Sequence, residues 1–163
     1  MLSKQSYLCL TLAFLMLIAG QLSASEPDTK DHIGEISSAQ LLANYPEFAK
    51  EYESFQPTKS QILGLQGLEG KEVLALFGTW CHDSEREIPR LLKLIEESEI
   101  SLSRLTLYGV SRNKDDPAGV AKQHELLFTP TIIVLDDGKE LTRIVERPKI
   151  GLAADIAAEL SSN

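Results

Sequence analysis

Val73-Leu74-Ala75-Leu76-Phe77-Gly78-Thr79-Trp80-Cys81-His82-Asp83-Ser84 is the stretch that decides the fold. Its first five residues are apolar without interruption, the mark of a strand buried on both faces. Gly78 ends that run, and Glu85 to Glu97 then sets Ile88, Leu91, Leu92 and Ile95 on one helical face. A cysteine therefore stands at the junction between a buried strand and a helix. The unpaired N–H groups and the dipole of a helix N-terminus favour negative charge there, and so the nucleophilic thiolate. The competing reading is a small buried apolar residue, which suits a junction flanked by His82 and Asp83 poorly.

Downstream, Leu105 to Val110 is a second apolar strand, and Pro117 to His124 is expected to form a short helix. Thr131 to Leu135 is a third strand, rich in β-branched residues. Asp136-Asp137-Gly138-Lys139 is a hairpin turn into a strand over residues 140–145, and Leu152 to Leu160 closes the chain as a helix. The order β-α-β-α-β-β-α implies a parallel pair joined by a crossover helix, followed by an antiparallel hairpin. Upstream, Ser37 to Phe55 has a helical pattern that Pro46 splits, because proline suits the first turn of a new helix. Residues 60–68 carry Ile62, Leu63, Leu65 and Leu68 but also Gly64 and Gly67, and receive no assignment.

Trp80-Cys81-x-x-Ser84 after a buried strand, with Thr129-Pro130-Thr131 opening a later strand and a closing helix beyond, resembles the thioredoxin superfamily. The match covers about residues 70–160. It implies an α/β thioredoxin-like fold, a central mixed sheet flanked by helices, with a core over residues 70–161 and an N-terminal helical extension over 37–69. It also implies a cis bond before Pro130, with that loop against Cys81. A cis proline forms a tight turn and leaves a backbone edge on which a substrate strand can pair. Thr129 and Pro130 then shape the substrate groove, together with Trp80, His82 and Asp83.

The departures from that pattern shape the chemistry. A dithiol enzyme attacks a disulfide with its first cysteine and releases the product with its second. Here the second position is Ser84, so a mixed disulfide on Cys81 needs an outside thiol to resolve it. Ser84 is a candidate hydrogen-bond donor to the thiolate and also a residue suited to a helix start. Protonated His82 would stabilise the thiolate, and Asp83 would oppose it by like charge. Glu85 and Glu87 complement the helix dipole. The strand position where many thioredoxins bury an acid falls near Ala75. His124 reads as structural and His32 as solvated. Arg112 lies in a charged loop after a strand end, where α/β folds border their sites, and is a candidate substrate contact.

The first residues do not belong to this domain. Lys4 precedes a charge-free run from Tyr7 to Ala19, and Leu22-Ser23-Ala24 offers small residues for cleavage before Ser25. That is the layout of a secretory signal peptide over residues 1–24. The run is shorter than the roughly 20 residues of a membrane span, and the alternative reading is an uncleaved N-terminal anchor. A polar, flexible leader is expected over 25–36. The full chain carries 16 basic and 24 acidic residues, a net charge of -8. Cleavage removes Lys4 and Cys9, leaving one thiol, Cys81, and no internal disulfide. The acidic balance argues against nucleic acid and against anionic membranes.

The sequence thus predicts a monothiol thiol–disulfide oxidoreductase of the cell envelope, exported to the periplasm and monomeric. Its expected partners are protein thiols or disulfides, or a small resolving thiol, and it requires no metal or organic cofactor. The alternative is a redox-inactive protein-binding module in which Cys81 is incidental. Peroxide reduction through a Cys81 sulfenate has the thiol but no evident Thr or Arg constellation beside it.

Overall fold

The computed structural model describes residues 30–162. The expected signal peptide and the start of the leader lie outside them. In chain order the elements are β1 (Gly34–Ile36), α1 (Ser38–Asn44), α2 (Pro46–Ser54), α3 (Lys59–Gly64) and a 3-10 turn (Gln66–Leu68). Then come β2 (Glu72–Phe77), α4 (His82–Ser98), β3 (Arg104–Gly109), α5 (Val120–Gln123), β4 (Thr131–Asp136), β5 (Lys139–Val145) and α6 (Leu152–Ser161).

The five strands form one sheet in the order β1-β3-β2-β4-β5. β2 runs parallel to β3, with α4 crossing between them, and antiparallel to β4. β4 and β5 form the expected hairpin, with Asp137 and Gly138 at positive φ in its turn. This is the thioredoxin-like α/β fold, a mixed sheet flanked by helices. Alternation along β2 explains its two faces. Val73, Ala75 and Phe77 join one buried cluster with Ile88 and Leu91 of α4, Ile156 of α6, and Leu41 and Phe48 of the N-terminal helices. Leu76 joins a smaller cluster on the other face with Ile133, Ala121 and Leu126.

The N-terminal extension is thus part of the main core. Phe48 is 1% exposed and packs on Phe77, the last residue of β2, with ring centroids 5.8 Å apart. Burying such a side chain contributes about 1.5–3 kcal/mol. Local sequence explains the helix starts. Ser37 and Gln40 form a capping box at α1, Pro46 occupies the first turn of α2, and Thr58 and Gln61 form a second capping box at α3. The unassigned 60–68 stretch is therefore helix α3 followed by the 3-10 turn.

Two expectations need correction. Residues 34–36, read as the end of a flexible leader, are a strand that pairs with β3 from Gly34↔Gly109 to Ile36↔Leu107. Ile36, 5% exposed, anchors it in the core. The helix expected from Pro117 to His124 shortens to Val120–Gln123. Gly119 before it is left-handed, and the Asp116 carboxylate accepts from the N–H groups of Val120 at 3.1 Å and Ala121 at 2.7 Å. Burial would push the Asp116 pKa up. The hydrogen bonds from Ala121, Val120, the Tyr108 hydroxyl and Gly119 outweigh that and hold it below the ordinary carboxylate value.

Candidate thiol site

β2 ends at Phe77, and a tight loop over residues 78–81 delivers the chain to α4. The Cys81 N–H donates to the Gly78 carbonyl at 3.0 Å, closing the loop as a turn. Gly78 in turn donates its N–H to Ser84 Oγ at 3.3 Å, a buried bond that ties the loop to the first turn of α4. A Cβ at Gly78 would lie 2.4 Å from the Trp80 indole, so glycine is what lets that ring fold back over the loop. Cys81 is the N-cap of α4, partly exposed, and its side chain caps none of the helix N–H groups.

The thiol is turned to the cis-proline loop. Cys81 Sγ donates to the Thr129 carbonyl at 3.2 Å, and the Thr129–Pro130 bond is cis, as expected. Forming the thiolate removes the proton this bond needs. Cys81 stands at the N-cap of α4, where the start of a helix favours negative charge. Two bonds pin the loop: Thr131 Oγ1 donates to the Phe128 carbonyl at 2.8 Å, and the Glu146 N–H donates to the Pro130 carbonyl at 2.8 Å. Thr129 and Pro130 are themselves buried, whereas Leu127 and Phe128 just before them are 71% and 48% exposed.

The structure brings Cys81, Trp80, Thr129 and Pro130 to one end of the sheet, and it alters three expected roles. Ser84 is fully buried with its hydroxyl oxygen on the Gly78 N–H, and the hydrogen bond of the Cys81 thiol goes to Thr129 instead. His82 does not turn to the sulfur. Its side chain is 98% exposed and its Nδ1 lies 2.7 Å from Glu85 Oε2, because the i,i+3 spacing sets the two on one helix face. Asp83 is not a bare negative charge. Its Oδ1 accepts from Arg147 Nε at 2.8 Å and lies 3.2 Å from an Arg86 guanidinium nitrogen.

Several neighbours escaped the sequence. Arg147 follows β5, and Arg86 bridges Asp83 and the buried Glu87, whose oxygen lies 2.6 Å from Arg86 Nε. Burial would lower the Arg86 pKa, but the hydrogen bond and charge of Glu87, and then Asp83, raise it. Trp80 Nε1 donates to the Val110 carbonyl at 3.1 Å, and the Arg112 guanidinium stands 5.6 Å from the ring centroid. Arg112, expected as a substrate contact, is paired with Asp31. His32, read as solvated, donates its backbone N–H to Thr79 Oγ1 at 3.1 Å. Among the described residues, no cluster of three or more His, Cys, Asp or Glu side chains is arranged to hold a metal ion.

No model of a known protein family matches the chain, and no curated protein sequence matches it. Solved structures do. A Pseudomonas aeruginosa protein of unknown function superposes with a TM-score of 0.56 at 21% identity, over 79% of this chain and 91% of that one. An HIV epitope-scaffold superposes with a TM-score of 0.53 at 23% identity, over 79% of this chain and 84% of that one. Mitochondrial thioredoxin 3 from Saccharomyces cerevisiae gives a TM-score of 0.40 at 23% identity, over 68% and 95%. The first two likenesses show the fold alone.

Ser84→Ala tests the loop geometry. It leaves the buried Gly78 N–H without its acceptor, and is expected to cost about 1–3 kcal/mol in urea unfolding. A cost below about 0.5 kcal/mol would show that the Ser84 hydroxyl does not hold the loop.

Proposed function

We propose that the chain is a monothiol thiol–disulfide oxidoreductase of the cell envelope, with Cys81 as its nucleophile. The observation that carries this reading is the partly exposed Cys81 at the N-terminus of α4, its thiol against the carbonyl that precedes cis Pro130. The Cys81 thiolate attacks one sulfur of a partner's disulfide. The partner's S–S bond breaks, a Cys81–partner disulfide forms, and the other partner sulfur leaves as a thiolate that takes up a proton. Position 84 supplies no second thiol, so an outside thiolate attacks the mixed disulfide. It bonds to the partner's sulfur and returns the electron pair to Cys81. Protein thiols or disulfides, with a small thiol as resolving partner, are the partners this scheme needs. The domain works as a monomer in the periplasm and needs no metal or organic cofactor.

A second reading is favoured by one observation. Leu127 and Phe128 are exposed beside Thr129, which suits a redox-inactive module that docks a partner there while Cys81 stays idle. Insulin reduction with dithiothreitol separates the two. The natural chain should be slow, and Ser84→Cys should be faster by about tenfold, because a thiol on the same helical turn replaces a bimolecular release with an intramolecular one. Ser84→Ala controls for the lost bond to Gly78, and Cys81→Ala should abolish turnover in both backgrounds. No gain in Ser84→Cys, with Cys81 alkylated no faster than a free thiol, would favour the docking module. Export is tested separately: mass spectrometry should find the mature chain beginning at Ser25, and retention of Leu8 to Ile18 would contradict it.

A further inference from the structure

Residues 30–33 run over the loop that presents Cys81 and are held to it by contacts the exchange scheme does not use. Asp31 accepts two hydrogen bonds from the Arg112 guanidinium, Nε to Oδ2 at 2.8 Å and a terminal nitrogen to Oδ1 at 3.2 Å. That fork–fork geometry fixes the plane of the guanidinium as well as its position. The same guanidinium stands 5.6 Å from the Trp80 ring centroid, within cation–π range. One residue on, the His32 backbone N–H donates to the hydroxyl of Thr79, which is 9% exposed. Thr79 and Trp80 are the two residues immediately before Cys81.

The approach is close because Gly109 permits it. A Cβ on Gly109 would lie 2.5 Å from the His32 carbonyl oxygen, so a side chain there would push this segment off the sheet end. On its other side the segment is held by the Tyr45 hydroxyl, which donates to the Lys30 carbonyl at 3.0 Å. Next along the chain, β1 locks it into register with β3. Residues 30–33 are therefore a strap with fixed ends, and its side chain at 31 reaches the thiol loop through one arginine.

We propose that Asp31 and Arg112 are positioning residues for Cys81: the Asp31–Arg112 pair seats Trp80, and with the His32–Thr79 bond it holds the loop that presents the thiol. The inference rests on the exchange reading only in taking Cys81 as the reacting group. Without the pair, Trp80 keeps its bond to Val110 but loses the cation that covers its ring. The loop loosens, and the thiol becomes more open to reagents while being less well aligned.

The test uses the full chain with Cys9→Ser, so that Cys81 is the one thiol, and reads Trp80, the one tryptophan, by fluorescence. Arg112→Ala and Asp31→Asn should each shift Trp80 emission to the red and raise the rate of Cys81 alkylation by iodoacetamide about two- to fivefold, the size of one exposed cation–π contact. Arg112→Lys keeps the charge but not the fork, and should recover only part of the emission shift. The Asp31→Asn and Arg112→Ala effects should be less than additive, because both remove one interaction. Unchanged emission and alkylation in both single variants would overturn the proposal, as would full additivity. Neither readout requires turnover, so loss of insulin reduction in the natural chain would count against the exchange reading alone.

Discussion

Antiparallel pairing of β2 with β4 is the constraint on which the thiol site depends. Leu76 faces Thr131 across that pair, so the residues just beyond each strand end emerge at the same edge of the sheet. Cys81 and Thr129 are 48 residues apart in sequence, and the pairing brings the thiol within 3.2 Å of the carbonyl. Both strands lie in the interior of the sheet and carry fully buried residues such as Leu76, Phe77 and Ile133. Strands so placed open last in a folded domain, and the site inherits their rigidity. A slip of one residue would turn every side chain of β4 to the other face and remove the site with the core.

The helix side of the junction depends on the same economy. Gly78 serves three ends at once: its carbonyl closes the turn to Cys81, its N–H is taken by Ser84, and its bare Cα admits the Trp80 ring. A hydroxyl at 84 is thus a structural acceptor. That gives a physical reason for serine at this position. Nearby charges are disposed with similar care. His82 turns outward to Glu85, and Asp83 is shared by Arg147 and Arg86, so its charge is neutralised away from the sulfur.

Much of this was legible in the sequence, and the parts that were not share a cause. Continuous apolar runs and the Asp-Gly turn marked the strands because burial and turn geometry leave local signatures. Cys81 was found because a thiol between a buried strand and a helix is chemically distinctive, and Pro130 because its place opening a later strand resembles the thioredoxin pattern. Asp31–Arg112 and Asp83–Arg147 were invisible, joining residues 81 and 64 positions apart through exposed side chains that follow no period. Residues 34–36 hid in a polar stretch where only Ile36 reaches the core. The start of α3 was readable as Thr58-x-x-Gln61, a capping box, but Gly64 and Gly67 obscured it. His82 and Asp83 show the limit of adjacency: a position next to the cysteine does not say where a side chain points.

The central claim is that the fold activates Cys81 for attack on a disulfide. Its most direct measurement is the rate at which Cys81 reacts with an aromatic disulfide, followed by the released thiolate, in the folded Cys9→Ser chain and in the same chain unfolded in urea. Comparing one chain with itself removes the influence of local sequence and leaves that of the fold. The account predicts faster reaction in the folded state at neutral pH, despite the partial burial of the sulfur. Equal or slower reaction in the folded state would contradict it and leave Cys81 as a sheltered thiol at the end of a thioredoxin-like sheet.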